Sequence, residues 1–175
     1  MRGWNTPRLH PRTADSAPYR GLMMTHFFAA VHHLAVLTLL ACVLISLHQL
    51  GQPLTVPHAR RLRATDMANG LAATVVLVVG LVRVFYWEKG AAFYFHNGPF
   101  LAKLGLYGLA SVLSLVPTVE MHRWRTALQR GLLPAVSRQK IALLRATAML
   151  QLACLLAMAM CAYLAARGRE WPSLG

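Results

Sequence analysis

Residues 26–50 read HFFAAVHHLAVLTLLACVLISLHQL, a stretch without a single Asp, Glu, Lys or Arg. At 1.5 Å of rise per helical residue it reaches about 37 Å, more than the ~30 Å hydrocarbon core of a bilayer. A secretory signal has a shorter apolar core and a small-residue cleavage site, and neither is present here. Three further runs share the character: Asp66 to Trp87, Pro99 to about Glu120, and about Ile141 to Ala166. None alternates between polar and apolar residues as the strands of a membrane barrel do. Four such runs leave almost no amphipathic helix to shield them from water. The sequence therefore predicts an all-α integral membrane protein, a four-helix up-down bundle over residues 23–168.

Composition agrees. Hydrophobic residues make up 57% of the 175 residues, mean hydropathy is +0.46, and only 13% are charged. Soluble domains carry about 25% charge. Outside the bundle, residues 1–22 are polar and interrupted by Pro7, Pro11 and Pro18, which predicts a flexible N-terminal tail. Met23 and Met24 directly precede the first run, so an upstream start codon is a second explanation for that tail. Residues 169–175 form a short C-terminal tail.

The formal charge is +13, from 18 Lys and Arg against 5 Asp and Glu. These cations lie between apolar runs, where they set topology and meet anionic lipid headgroups. Membrane lipid is the expected partner, and nucleic acid is not. Arg60, Arg61 and Arg63 fill the first connection; Arg123, Arg125, Arg130, Arg138 and Lys140 fill the third. The second offers only Lys89 beside Glu88. The positive-inside rule then puts loops 51–65 and 121–140 in the cytoplasm of a multi-pass inner-membrane protein, with both termini outside. The four arginines of residues 1–22 pull against that orientation. Phe85, Tyr86, Trp87 and Trp124 stand at expected interface positions.

Asp66 reads as the N-cap of the second span, its carboxylate accepting the first free amides. Pro99 occupies a first helical position, where its missing N–H costs nothing. Ala153, Ala157, Cys161 and Ala165 recur every fourth residue, a small-residue stripe that lets a neighbouring backbone approach. Cys42, Cys154 and Cys161 all lie inside apolar runs, which predicts small buried thiols and no disulfide framework.

Ionisable residues inside spans are costly, so their positions carry information. His33 lies roughly 12 Å below the outer end of the first span, and Arg83 and Lys103 each lie roughly 6 Å below theirs. Antiparallel packing brings all three into the outer half of the bundle. His26 precedes His33 by seven residues on the same helix face. Tyr107, Ser111 and Ser114 continue a polar stripe from Lys103, and Asn69, Gly80 and Arg83 share a face of the second span. Each feature also has a plain explanation: Arg83 and Lys103 can snorkel to water, and a histidine such as His32 can bond a backbone carbonyl.

Taken jointly, an imidazole and two cations at one depth suit an anionic guest. A b-type haem or related porphyrin fits: His33 as the metal ligand, Arg83 and Lys103 against the propionates, with His26 and Tyr107 completing the site. Electron transfer to a membrane redox partner, or porphyrin oxidation, would follow. Copper is the competing cofactor, through the soft ligands Met149, Met158, Met160, Cys154 and Cys161, with copper handling or small-solute transport as its function. A reading from another class is a cofactor-free accessory subunit of a larger complex, in which the polar residues only orient helices.

The stretch from Gly80 to Arg83, then Glu88-Lys89-Gly90, Phe93-Tyr94, Asn97-Gly98 and Phe100 to Lys103, is the most specific pattern in the chain. With His33, Asp66, Gly70, Trp124 and Arg125, it resembles a bacterial family catalogued as domain of unknown function twenty-two-fourteen, over about residues 24–168 (spans as estimated above). That resemblance implies a four-span membrane topology and no established activity. More distantly, His33 with Lys103 is similar to the HemJ-type protoporphyrinogen oxidases and the CopD-like copper-resistance membrane proteins. Ser111 and Ser114 stand where the HemJ pattern leads one to look for a second histidine.

Overall fold

A computed structural model of the protein describes residues 17–86 and 98–166. Four long helices dominate it: α1 (Ala17–Leu50), α2 (Val56–Tyr86), α3 (Gly98–Arg123) and, after the single-turn-scale helix α4 (Arg125–Gln129), α5 (Arg138–Ala166). Each of the four is long and apolar enough to cross a bilayer. Among the described residues there is no strand. The all-α, four-span bundle expected from the sequence is the observed architecture.

The ends of α2 and α5 are written in short local signals. Thr55 precedes α2, and its side-chain oxygen accepts the amide of His58 at 3.4 Å while its carbonyl takes the amide of Ala59 at 2.8 Å. That is the N-cap geometry, with Pro57 inside the first turn, where no amide donor is required. Ser137 does the same for α5, accepting the amide of Lys140 at 3.3 Å. After α4 the chain reverses at Gly131, which adopts φ +70°. The amide of Leu132 returns to the Ala127 carbonyl at 2.9 Å and that of Gly131 to Leu128 at 3.2 Å. This paired closure needs a left-handed residue, and glycine carries no Cβ to oppose it.

Several boundaries differ from the sequence reading. The second helix begins ten residues before Asp66, and Arg60, Arg61 and Arg63, expected in a loop, belong to its first turns. Asp66 is consequently mid-helix and caps nothing. Helix α1 starts at Ala17, within the stretch expected to be a tail. The first connection shrinks to residues 51–55, and the third contains α4. Trp124 is not at a lipid interface: it is 3% exposed, enclosed between the connections.

Packing is strongest within two antiparallel pairs, α1 with α2 and α3 with α5. The pairs join through α1 against α5 and α2 against α3, so the helices stand in the cyclic order α1–α2–α3–α5. One core lies mid-bundle, around Leu39, Val43, Ala72, Ala110, Cys154, Leu155 and Met158. Lipid is as apolar as these side chains, so close packing rather than water exclusion holds that core. A second cluster closes the end where α1 runs into α2 and α3 into α5: Leu50, Ala59, Leu62, Met121, Trp124, Leu128 and Leu144. Near water, burying each leucine or methionine of this cluster is worth roughly 1.5–3 kcal/mol. On α5 the buried line runs through Leu144, Thr147, Ala148, Gln151, Cys154 and Met158. Of the expected small-residue stripe, Ala153 is exposed while Ala157 and Cys161 are half-buried, so the most buried line of α5 runs beside the stripe rather than along it.

Candidate functional site

The inward face of α1 is set by its buried residues Ala35, Leu39, Cys42 and Val43. His32 stands three and seven residues before Ala35 and Leu39, which places it on the same face. It is half-buried, and its ring lies over α2: a Cβ built on Gly80 would stand 3.3 Å from its Cε1. The backbone of Val76 is a further neighbour, and the charges of Lys103 and Arg83 bear on the ring from α3 and α2. Its Nδ1 is buried without a hydrogen-bond partner.

His33 goes the other way. It is exposed, on the side that lipid would cover, and its Nδ1 lies 2.6 Å from the Ala29 carbonyl of its own helix. His26, seven residues earlier, is exposed as well. The sequence expectation placed His33 in the site; the inward-facing imidazole at that depth is its neighbour His32. The register with Ala35 and Leu39 was the signal that separates the two histidines; 100° per residue carries His33 out of that face.

Arg83 and Lys103 are both half-buried, and their charges bear on the His32 ring from α2 and α3. Tyr107, one turn below Lys103, also faces inward. Its hydroxyl donates to the Ala73 carbonyl of α2 at 2.8 Å, tying the two helix pairs together. Ser111 donates to the Tyr107 carbonyl at 2.9 Å and Ser114 to Ser111 at 2.7 Å, so the expected polar stripe is half-buried and spends its hydroxyls on its own backbone. Glu88, Lys89 and the rest of residues 87–97 lie outside the described residues.

The soft ligands weighed for copper are dispersed. Met158 and Cys154 are buried, Cys161 is half-buried, and Met149 and Met160 are exposed. Among the described residues no three His, Cys, Asp or Glu side chains gather in a metal-ligating group. The three cysteines are free thiols.

At the opposite end, Glu120 organises the connections. Its carboxylate accepts from Lys140 Nζ at 3.0 Å and from Trp124 Nε1 at 3.2 Å, with Arg123 at 3.9 Å. Arg60 of α2 donates to the Leu128 carbonyl at 3.0 Å. These contacts fasten both arginine-rich segments to one face of the bundle.

A family model described as a predicted membrane protein, DUF2214, matches residues 24–169. No curated protein and no solved structure matches the chain.

Proposed function

The chain belongs to the DUF2214 family of predicted membrane proteins, and on that premise we propose that it is a redox subunit holding a b-type haem or related porphyrin in the half of the bundle around His32. What supports this reading is one observation: an inward imidazole with a buried, unpartnered Nδ1, on which the charges of Arg83 on α2 and Lys103 on α3 bear. Histidine is the commonest metal-ligating side chain, and its orientation is normally fixed by a hydrogen bond to the ring nitrogen that does not ligate. The Val76 backbone is the partner at hand for that nitrogen, with the ring lying over Gly80. In this reading His32 takes the ligand role given to His33 by the sequence. Arg83 and Lys103 face the guest's carboxylates, for which charge-assisted bonds in a low-dielectric setting are strong. His26 and Tyr107 stay outside the first contacts. Bound haem supplies one-electron chemistry, and a membrane redox partner would exchange those electrons.

The arginine-rich connections stand together at one end, and by the positive-inside rule we assign that end to the cytoplasm of an inner membrane. The His32 end then faces outward, as do both termini.

The test is an absorption spectrum of protein purified from haem-replete cells. A Soret band lost in His32→Ala and kept in His33→Ala is expected. Wild-type protein without such a band, or a band indifferent to His32→Ala, overturns the proposal.

A second reading is a cofactor-free accessory subunit. It is favoured by the hydroxyls of Tyr107, Ser111 and Ser114, all consumed in holding helices. Co-purification with a larger membrane complex, together with full function of Lys103→Ala, would decide for it.

A further inference from the structure

On the Glu120 side of the mid-bundle core, α1, α2, α3 and α5 surround a cavity of about 20 Å³. Its polar lining is Ser46, Asp66, Asn69 and Gln151, with Pro117 on the α3 side and Met121 and Leu144 beneath. About 10–15 Å³ is needed to admit one water, so the space holds one small guest and no more.

Asp66 brings a carboxylate into this space. One of its oxygens, Oδ1, accepts the Thr118 hydroxyl at 3.1 Å across the α2–α3 contact. Among the described residues no salt bridge neutralises it. One turn along the same helix, Asn69 is 94% buried by its 6% exposure, and its Oδ1 has no hydrogen-bond partner. A buried amide oxygen left without a donor costs on the order of 1–3 kcal/mol. Gln151, also 6% exposed, enters from α5, and half-buried Ser46 enters from α1. Pro117 has no amide to give the Leu113 carbonyl one turn earlier, which leaves that carbonyl of α3 without its usual helical partner.

Oxygen-bearing side chains of several kinds thus line a water-sized space, with one negative charge and one unpartnered amide oxygen among them. We propose that this cavity is a binding site for a single small monovalent cation of the size of Na⁺. Hard cations take oxygen ligands from carboxylates, amide carbonyls and hydroxyls. Calcium draws 6–8 oxygens, commonly from several carboxylates, and is poorly matched to one carboxylate in so small a space. One charge against one charge is the balanced arrangement. Helix α2 is 31 residues long, about 46 Å at 1.5 Å per residue, so it overhangs a ~30 Å core. Asp66, ten residues from its start, therefore lies near the boundary and within reach of ions from water.

The site involves none of the residues placed around the porphyrin, and its test does not depend on that reading. Full-length protein in detergent is unfolded thermally in NaCl and in choline chloride at equal ionic strength and pH. Na⁺ is expected to raise the midpoint by roughly 2–4 °C. The Na⁺-dependent increment is expected to vanish in Asp66→Asn and to shrink in Asn69→Leu; comparing salts within each variant removes any general destabilisation. Asn69→Asp, which adds a second carboxylate, is expected to move the response toward Ca²⁺. Equal midpoints in the two salts for wild type overturn the proposal. So does a Na⁺ increment that persists in Asp66→Asn. A midpoint that responds to pH and not to Na⁺ also overturns it, identifying a proton or water site instead.

Discussion

The imidazole of His32 rests on Gly80: any Cβ at that position would meet Cε1 at 3.3 Å, closer than side chains ordinarily tolerate. Two helices of one antiparallel pair are therefore in contact through a ring and a bare backbone. Gly80→Leu is expected to displace the ring and lower the thermal midpoint, since overpacking typically costs about 1–3 kcal/mol. Gly70→Ala is the control, because nothing lies within 4 Å of a Cβ there. That change is expected to be neutral or to stabilise by up to about 1 kcal/mol, as glycine is a poor helix former. Thermal unfolding in detergent separates the two.

Thr55 and Ser137 each cap a helix through the amide three residues on. Replacing either by Ala is expected to cost about 1 kcal/mol. Asp66→Ala is not expected to act as a lost cap. Helicity by circular dichroism and the midpoint of unfolding should fall in the Thr55 and Ser137 variants, with glycine at those positions less harmful than alanine.

The Lys140–Glu120 contact is short, yet Lys140 is 46% exposed on its side chain. Exposed pairs of this kind are worth at most about 1 kcal/mol and weaken with salt. Lys140→Ala should therefore shift stability slightly, and less at high ionic strength. Trp124→Ala removes a buried ring from the cluster at the connections, where such truncations cost roughly 3–5 kcal/mol. A Lys140 variant more damaged than the Trp124 variant in a melting series would contradict this ranking.

Tyr107 joins α3 to the Ala73 carbonyl of α2. Tyr107→Phe keeps the ring and is expected to lose about 0.5–1.5 kcal/mol. The same change should leave a Soret band intact if His32, and not the phenol, is the ligand. Loss of the band in Tyr107→Phe would count against the proposed site.

Connections 51–55 and 130–137 stand at the same end of the bundle. Single cysteines at Gln52 and Ser137, in a background lacking Cys42, Cys154 and Cys161, are expected to react with a membrane-impermeant maleimide from one and the same side. Labelling from opposite sides would contradict the bundle topology. Labelling of both only after the cytoplasmic face is opened supports the proposed orientation.

The bundle was legible because lipid imposes a simple rule: spans must be long and apolar, and the runs from His26, Asp66, Pro99 and Ile141 are. Helix starts were less so. Arg60, Arg61 and Arg63 look like loop residues to a hydropathy criterion, although α2 simply continues past the hydrocarbon there. The depth of the polar residues could be counted along each helix, and the charges of Arg83 and Lys103 do bear on a histidine of α1, His32. Facing is a finer matter. His32 and His33 differ by one step of 100°, and only the inward register of Ala35 and Leu39 tells them apart. The cavity beside Asn69 needed four helices in place before its lining could be seen, since Ser46, Asp66 and Gln151 are remote in sequence.

Close packing within α1–α2 and within α3–α5 also bears on biogenesis. A chain leaving the translocon can commit two hairpins to the bilayer independently, each already satisfied in its backbone. Docking the hairpins comes afterwards, and that late seam is where Thr118 meets Asp66 and Tyr107 meets Ala73. Any rearrangement of the assembled protein meets less packing there than within either hairpin, across a joint of apolar core contacts pinned by a few hydroxyls.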